Sequence, residues 1–204
     1  MRHAAYLLTL CAAVLAVALC PGRARAEAKL NLGFEDMTPD KSSPQQWVVN
    51  KSAGYPFDSV ESVLRDPKYV RSGEASVKLV KKMDPQKPDA RGHLYTNDEV
   101  PVQKDGCYIL SLWARGEGEI SANAYAYGPG EDGVVKNKGS FYPQPVAGPA
   151  ATGKVTDTDW QQFQYKFDLA QSKVSITSFR LVIVAAGTVY VDDVEWKQAE
   201  EAKP

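Results

Sequence analysis

Cysteine, histidine and charge of one sign are what this chain has least of. Three cysteines occur in 204 residues (Cys11, Cys20 and Cys107) and two histidines, His3 and His93. Zinc sites of the usual kind need several such side chains in one place, so the composition argues against them. Lysine and arginine together number 24 against 25 acids, for a net charge of -1. A balanced, interspersed charge excludes the clustered basic surface that nucleic acid demands. No G-x-S-x-G nucleophile elbow and no phosphate-cradling glycine loop is present. Long helical periodicity is also missing, and only the N-terminus carries a long apolar run.

That run reads as a secretion signal. Met1-Arg2-His3 is a basic start, residues 4–20 are almost wholly apolar, and Pro21-Gly22 breaks any helix. Ala24-Arg25-Ala26 then satisfies the small-x-small rule, so cleavage after Ala26 is expected. A lipid anchor on Cys20 would want a small residue before it, and Leu19 stands there. The expectation is a chain that is secreted or placed in a periplasm or at a cell surface, with no membrane span. Residues 1–26 are the signal peptide, 27–197 the folded domain and 198–204 a charged tail. Cys11 and Cys20 leave with the signal, and Cys107 remains without an intramolecular disulfide partner. It opens an apolar strand and reads as a small buried hydrophobe.

Beyond the signal, short β-branched and aromatic runs alternate with Gly, Pro, Asn and Asp clusters, the pattern of an all-β antiparallel β-sandwich. Strands are expected at 76–80, 92–96, 107–115, 119–127, 160–168, 178–185 and 188–196, with weaker ones at 47–50 and 60–64. The glycine- and proline-rich stretch 128–159 reads as the longest irregular segment, with a short edge strand near Gly139-Ser140-Phe141-Tyr142.

Strand alternation then selects a face. Within 119–127, Asn123, Tyr125 and Tyr127 project to one side, and Ala122, Ala124 and Ala126 to the other. Arg91, His93 and Tyr95 share a side of their strand, as do Ser111, Trp113 and Arg115 of theirs. Rings that stack on pyranose C–H faces, beside planar polar groups that bond hydroxyls, are what sugar binding needs. The candidate ligand-binding set is therefore Arg91, His93, Tyr95, Trp113, Asn123, Tyr125 and Tyr127. Trp47, Trp160 and Trp196 fall at strand ends and read as packing residues. A bland alternative is that Trp113 belongs to the core and that the 128–159 loop covers Tyr125 and Tyr127.

The order of the punctuating motifs carries a resemblance. Asn31-Leu32-Gly33-Phe34-Glu35 comes first, followed by Ser72-Gly73-Glu74-Ala75-Ser76-Val77-Lys78-Leu79. Tyr108-Ile109-Leu110-Ser111-Leu112-Trp113-Ala114-Arg115-Gly116 is next, and Val191-Asp192-Asp193-Val194 closes the series. The set resembles the CenC-like carbohydrate-binding modules (the grouping of families four and nine) and, more broadly, the galactose-binding-like jelly rolls. The resemblance implies a secreted, non-catalytic domain that binds a polysaccharide or other glycan. It also implies a structural Ca²⁺ with Glu35 and Asp192 as side-chain ligands near Gly73. Hard oxygen donors of that kind suit the ion.

Two other classes stay open. One is an interaction module that keeps the jelly roll, has lost sugar binding and meets another secreted or cell-surface protein. The other is a polysaccharide lyase or glycoside hydrolase, in which Arg91, His93 and Tyr95 would neutralise, abstract and donate. Nothing in the neighbourhood of Glu117 and Glu119 singles them out as a hydrolytic pair.

Overall fold

The computed structural model describes residues 32–36, 44–49, 60–64, 66–80, 92–146, 148–156 and 159–199. The expected signal peptide, Arg91 and residues 200–204 lie outside the described residues.

Among the described residues, eleven strands and almost no helix make up the fold. They are β1 (Trp47–Val49), β2 (Val60–Leu64), β3 (Ala75–Val80), β4 (Gly92–Thr96), β5 (Val100–Pro101), β6 (Cys107–Pro129), β7 (Val135–Phe141), β8 (Gln144–Pro145), β9 (Lys154–Val155), β10 (Gln161–Asp168) and β11 (Ser178–Gln198). One helical turn, α1 (Pro149–Thr152), and a 3₁₀ turn at Leu169–Gln171 complete it. Every ladder is antiparallel.

Two strands organise the rest. β6 runs for 23 residues and β11 for 21, paired along almost their whole length. The sequence signals at 116–118 and 186–187 read as turns that separate two strands each. The structure instead carries each strand straight through. Gly118 lies opposite Gly187, and Gly116 opposite Val189. Gly116, Gly118 and Gly187 all have positive φ, and a Cβ on any of them would run into the carbonyl of Thr188, Ala186 or Glu117 respectively. The glycines permit a close crossing and a bend, not a chain reversal.

The bend divides the ladder into two halves. In one, the order is β1, β4, the N-terminal half of β11, the C-terminal half of β6, then β7. The other runs β2, β3, the C-terminal half of β11, the N-terminal half of β6, β10, then β8. The inner faces meet in one contiguous core. Phe167 of β10 packs on Phe141 of β7 and on Phe179 of β11, with ring centroids 5.9 and 5.7 Å apart. Tyr165 reaches across to donate its hydroxyl to the Ile120 carbonyl at 3.1 Å, and burial pushes that hydroxyl's pKa up. Phe163, Phe167 and Phe179 are fully buried, each stabilising the fold by roughly 2–3 kcal/mol.

Much of the described part of the stretch 128–159 is regular, as β7, β8, α1 and β9. Its first part folds back as β7, whose residues pair with β6 from Ala124 to Pro129 around a turn closed by Gly130 N–H to Val134 O at 2.7 Å. Gly133, at φ 74, supplies the left-handed position in that turn. The segment extends the sheet sideways. Cys107, expected to be buried, is half-buried where β6 begins.

Candidate functional site

The outward surface of the β1–β4–β11–β6–β7 half collects most of the expected ligand-binding residues. Alternation along β6 fixes the sides. Ala122, Ala124 and Ala126 point into the core, and Asn123, Tyr125 and Tyr127 stay half-buried on the other side. Register places their neighbours: Asn123 lies opposite Val182, Tyr125 opposite Arg180 and Tyr127 opposite Ser178 on β11. Val182 in turn pairs with Tyr95, and Val184 with His93, on β4. On the far edge Ser140 of β7 lies opposite Tyr125.

The rings on this surface interact. Tyr95 and Tyr125 meet edge to face at 6.4 Å, with 80° between planes. Their strands flank β11 and so stand roughly 9–10 Å apart. The two rings therefore lean toward each other over the central strand. Val182, on the same surface, is accordingly only 1% exposed. Tyr127 is free of that roof and lies under the guanidinium of Arg180, 5.4 Å from ring centroid to Cζ. Tyr142, directly after β7, is 74% exposed.

Trp113 is not brought to this surface. It lies on β6 twelve positions before Tyr125, on the far side of the glycine bend, or roughly 40 Å of strand contour. There it projects outward from the other half, opposite Asp192. It is neither core nor an open platform, because the Arg71 guanidinium covers its ring at 3.8 Å. Around it Tyr69 stacks on Tyr190 at 4.5 Å, and Arg115, which donates to the Lys68 carbonyl, lies over Trp160 at 5.8 Å. These contacts clasp residues 66–74 to the sheet. Of the other tryptophans, Trp47 is buried against Phe34 at 5.3 Å. Trp196 stacks on Tyr108 at 5.0 Å.

Two residues of the surface were not singled out from the sequence: Arg180 and Tyr142. The available signal was alternation alone. Arg180 lies between the core residues Phe179 and Leu181, so it must face outward, and Tyr142 follows the inward Phe141.

The expected calcium residues gather at the turn 71–74. The Glu35 Oε2 accepts from Glu74 N–H at 2.9 Å, and Gly73 has so little room that a Cβ there would strike Oε1. The Asp192 Oδ2 accepts from Arg71 N–H at 2.8 Å and from Ser72 N–H at 3.3 Å. Asp192 lies at a bulge in β11, with Asp193 at φ 46. Val194 N–H, just beyond, bonds the Leu32 carbonyl at 3.1 Å, which is how the first motif comes to lie beside the last. Asp193 pairs with Arg71 and accepts from Ser72 Oγ. Desolvation pushes the Asp192 carboxyl up to about 6, against the lowering effect of its backbone N–H donors. Among the described residues no three His, Cys, Asp or Glu side chains converge as a metal-binding group. The donor set still fits a hard cation in kind: two carboxylates and a glycine-containing turn, with one carboxylate desolvated and short of positive charge.

No protein-family model and no curated protein matches this chain. Solved structures do resemble it. The CBM22-1 xylan-binding domain from Paenibacillus barcinonensis Xyn10C is similar at 14% identity over 83% of this chain and 93% of that one, with a TM-score of 0.50. The CBM22-2 xylan-binding domain of the same protein has 12% identity over 82% and 98%, with a TM-score of 0.49. A cyclase from Fischerella sp. TAU is also similar, with 11% identity over 85% and 96% and a TM-score of 0.47. At 14% identity the likeness to the CBM22-1 domain is one of fold, an antiparallel β-sandwich. The finer CenC-like grouping rests on the sequence motifs alone.

Proposed function

We propose that this is an exported, non-catalytic glycan-binding protein, and that the glycan lies on the outward surface bearing Tyr95, Tyr125 and Tyr127. One observation carries the proposal. Alanines fill the core side of β6 while tyrosines stay half-exposed on the other, and the chain that follows extends the sheet beside them instead of capping them. Such rings offer apolar faces to sugar C–H groups, and Asn123 on the same surface offers an amide to hydroxyls. The fold it shares with xylan-binding domains agrees with the reading and does not choose the sugar.

Affinity electrophoresis of the chain through gels holding xylan, mannan, β-glucan or pectin tests the proposal. Retention by at least one gel is expected, with affinity weakened roughly tenfold when Tyr125→Ala and Tyr127→Ala are combined, as loss of two stacking rings would give. Trp113→Ala is the control and should leave retention unchanged, because Trp113 is on the other half under Arg71. No retention by any gel, or retention indifferent to the tyrosine pair, would count against the proposal.

A second reading has one observation in its favour. Tyr95 and Tyr125 already pack on each other over Val182, as they would in an interaction module that no longer binds sugar. Tyr127 decides between them: accessible to a quencher that glycan displaces on the first reading, indifferent to glycan on the second.

We also propose a structural Ca²⁺ at the turn 71–74, held by Glu35 and Asp192. The ion would supply the positive charge that the desolvated Asp192 carboxylate lacks and would fasten the first motif to the last.

A further inference from the structure

One cation on the tyrosine surface has no ion pair among the described residues. Arg180 stands on β11 opposite Tyr125, with its guanidinium over Tyr127. Its Nε is buried, and among the described residues the guanidinium has neither a hydrogen-bond partner nor an ion pair. Buried donors in folded proteins are nearly always satisfied, and a charged donor more strictly than a neutral one. The carboxylate near this end of β11, Glu99, accepts from Ser178 Oγ instead. At the register positions around Arg180 the outward residues are Tyr95, Asn123, Tyr125, Tyr127 and Ser140, and none carries a negative charge.

The contrast with the other half of the sandwich is informative. There Arg71 also lies over an aromatic ring, but it pairs with Asp193, and Arg115 donates to a carbonyl. Those guanidiniums are consumed in holding the fold together. Arg180 has the ring and lacks the acceptor. A neutral sugar would be served by an amide. A guanidinium presents parallel N–H groups in a plane, the match for a two-oxygen anion, and stacks on aromatic rings while doing so.

We propose that this surface is selective for acidic glycans, with Arg180 forking onto the carboxylate of a uronic-acid unit whose ring lies against Tyr127. The assignment rests on the glycan-binding reading of the same surface. The shared chemistry is a saccharide oxyanion, of which uronate is the source with planar two-oxygen geometry and a sulfate ester the competing source.

The test compares polygalacturonate with its fully methyl-esterified form, and dextran sulfate with dextran, by calorimetry on the whole chain. Polygalacturonate should bind at least about tenfold more tightly than the ester, the share expected of one charge-assisted bond. The preference should shrink in about 0.5 M salt, where exposed charges are screened. Arg180→Gln should abolish the preference while leaving the weaker ester binding, and Arg180→Lys, which keeps the charge without the fork, should retain part of it. Melting temperatures of both variants are read alongside, and the acid-against-ester comparison needs no variant at all. Equal binding of acid and ester by the unmodified chain overturns the assignment. So does an undiminished preference in a folded Arg180→Gln, or a preference confined to dextran sulfate. If neutral xylan binds and the acid gains nothing, glycan binding stands and the role of Arg180 falls. If nothing binds, both fall together.

Discussion

Asp192 shows how a single residue's role depends on what surrounds it. In the sequence it is one of 25 acids. In the fold it is fully buried, bonded to the same turn that Glu35 also accepts from. Its place in the closing Val191-Asp192-Asp193-Val194 motif was legible, because the resemblance named it with Glu35 and Gly73. Its desolvation was not, since burial is set by distant chain. The calcium proposal belongs at this scale. Excess chelator should lower the melting temperature by roughly 5–10 °C, the shift that an ion at a hundredfold excess over its Kd gives in a domain this size. Glu35→Ala should melt low in calcium and be insensitive to chelator. Identical scans for the unmodified chain in calcium and in chelator would remove the ion. Arg180 marks the opposite case. Alternation gave its direction, but that no described residue accepts from it is a property of the assembled surface.

At the scale of elements, runs of β-branched and aromatic residues located the strands well. The expected 92–96 and 60–64 coincide with β4 and β2, and 160–168 with β10 to within one residue. Glycine misled where it served crossing strands. The clusters at 116–118 and 187 carry the marks of a turn, and only the opposed register of β6 and β11 reveals a bend. Gly118→Ala tests this. It forces a Cβ at φ 154 into the Ala186 carbonyl, so a loss on the order of 2–4 kcal/mol is expected in urea unfolding. Gly133→Ala, also at positive φ but with nothing within 4 Å, should cost about 1 kcal/mol from backbone strain alone. Equal costs would mean that the close crossing contributes nothing. β7 was obscured for a different reason. Lys136, Asn137 and Lys138 show no apolar alternation, since β7 is an edge strand whose exposed residues bury little.

For the molecule as a whole, the long strands make the two halves inseparable. β6 and β11 supply a central pair to each, and the Phe141, Phe167 and Phe179 cluster joins them through the core. One cooperative transition is therefore expected. Fluorescence from Trp47 in one half and Trp113 in the other, each kept as the sole tryptophan, should report the same urea midpoint as the far-ultraviolet signal. Midpoints that differ would show halves that unfold separately. The same architecture decided which residues form the candidate surface. By itself the sequence determined the all-β class, most strand positions and which side chains along a strand share a side, because those follow from local period and turn chemistry. Which outward residues share a surface was decided only by the tertiary structure. Trp113 and Tyr125 lie on one strand with the same parity, yet a bend between them, made by glycines that meet across two strands far apart in the chain, sends them to different halves of the sandwich.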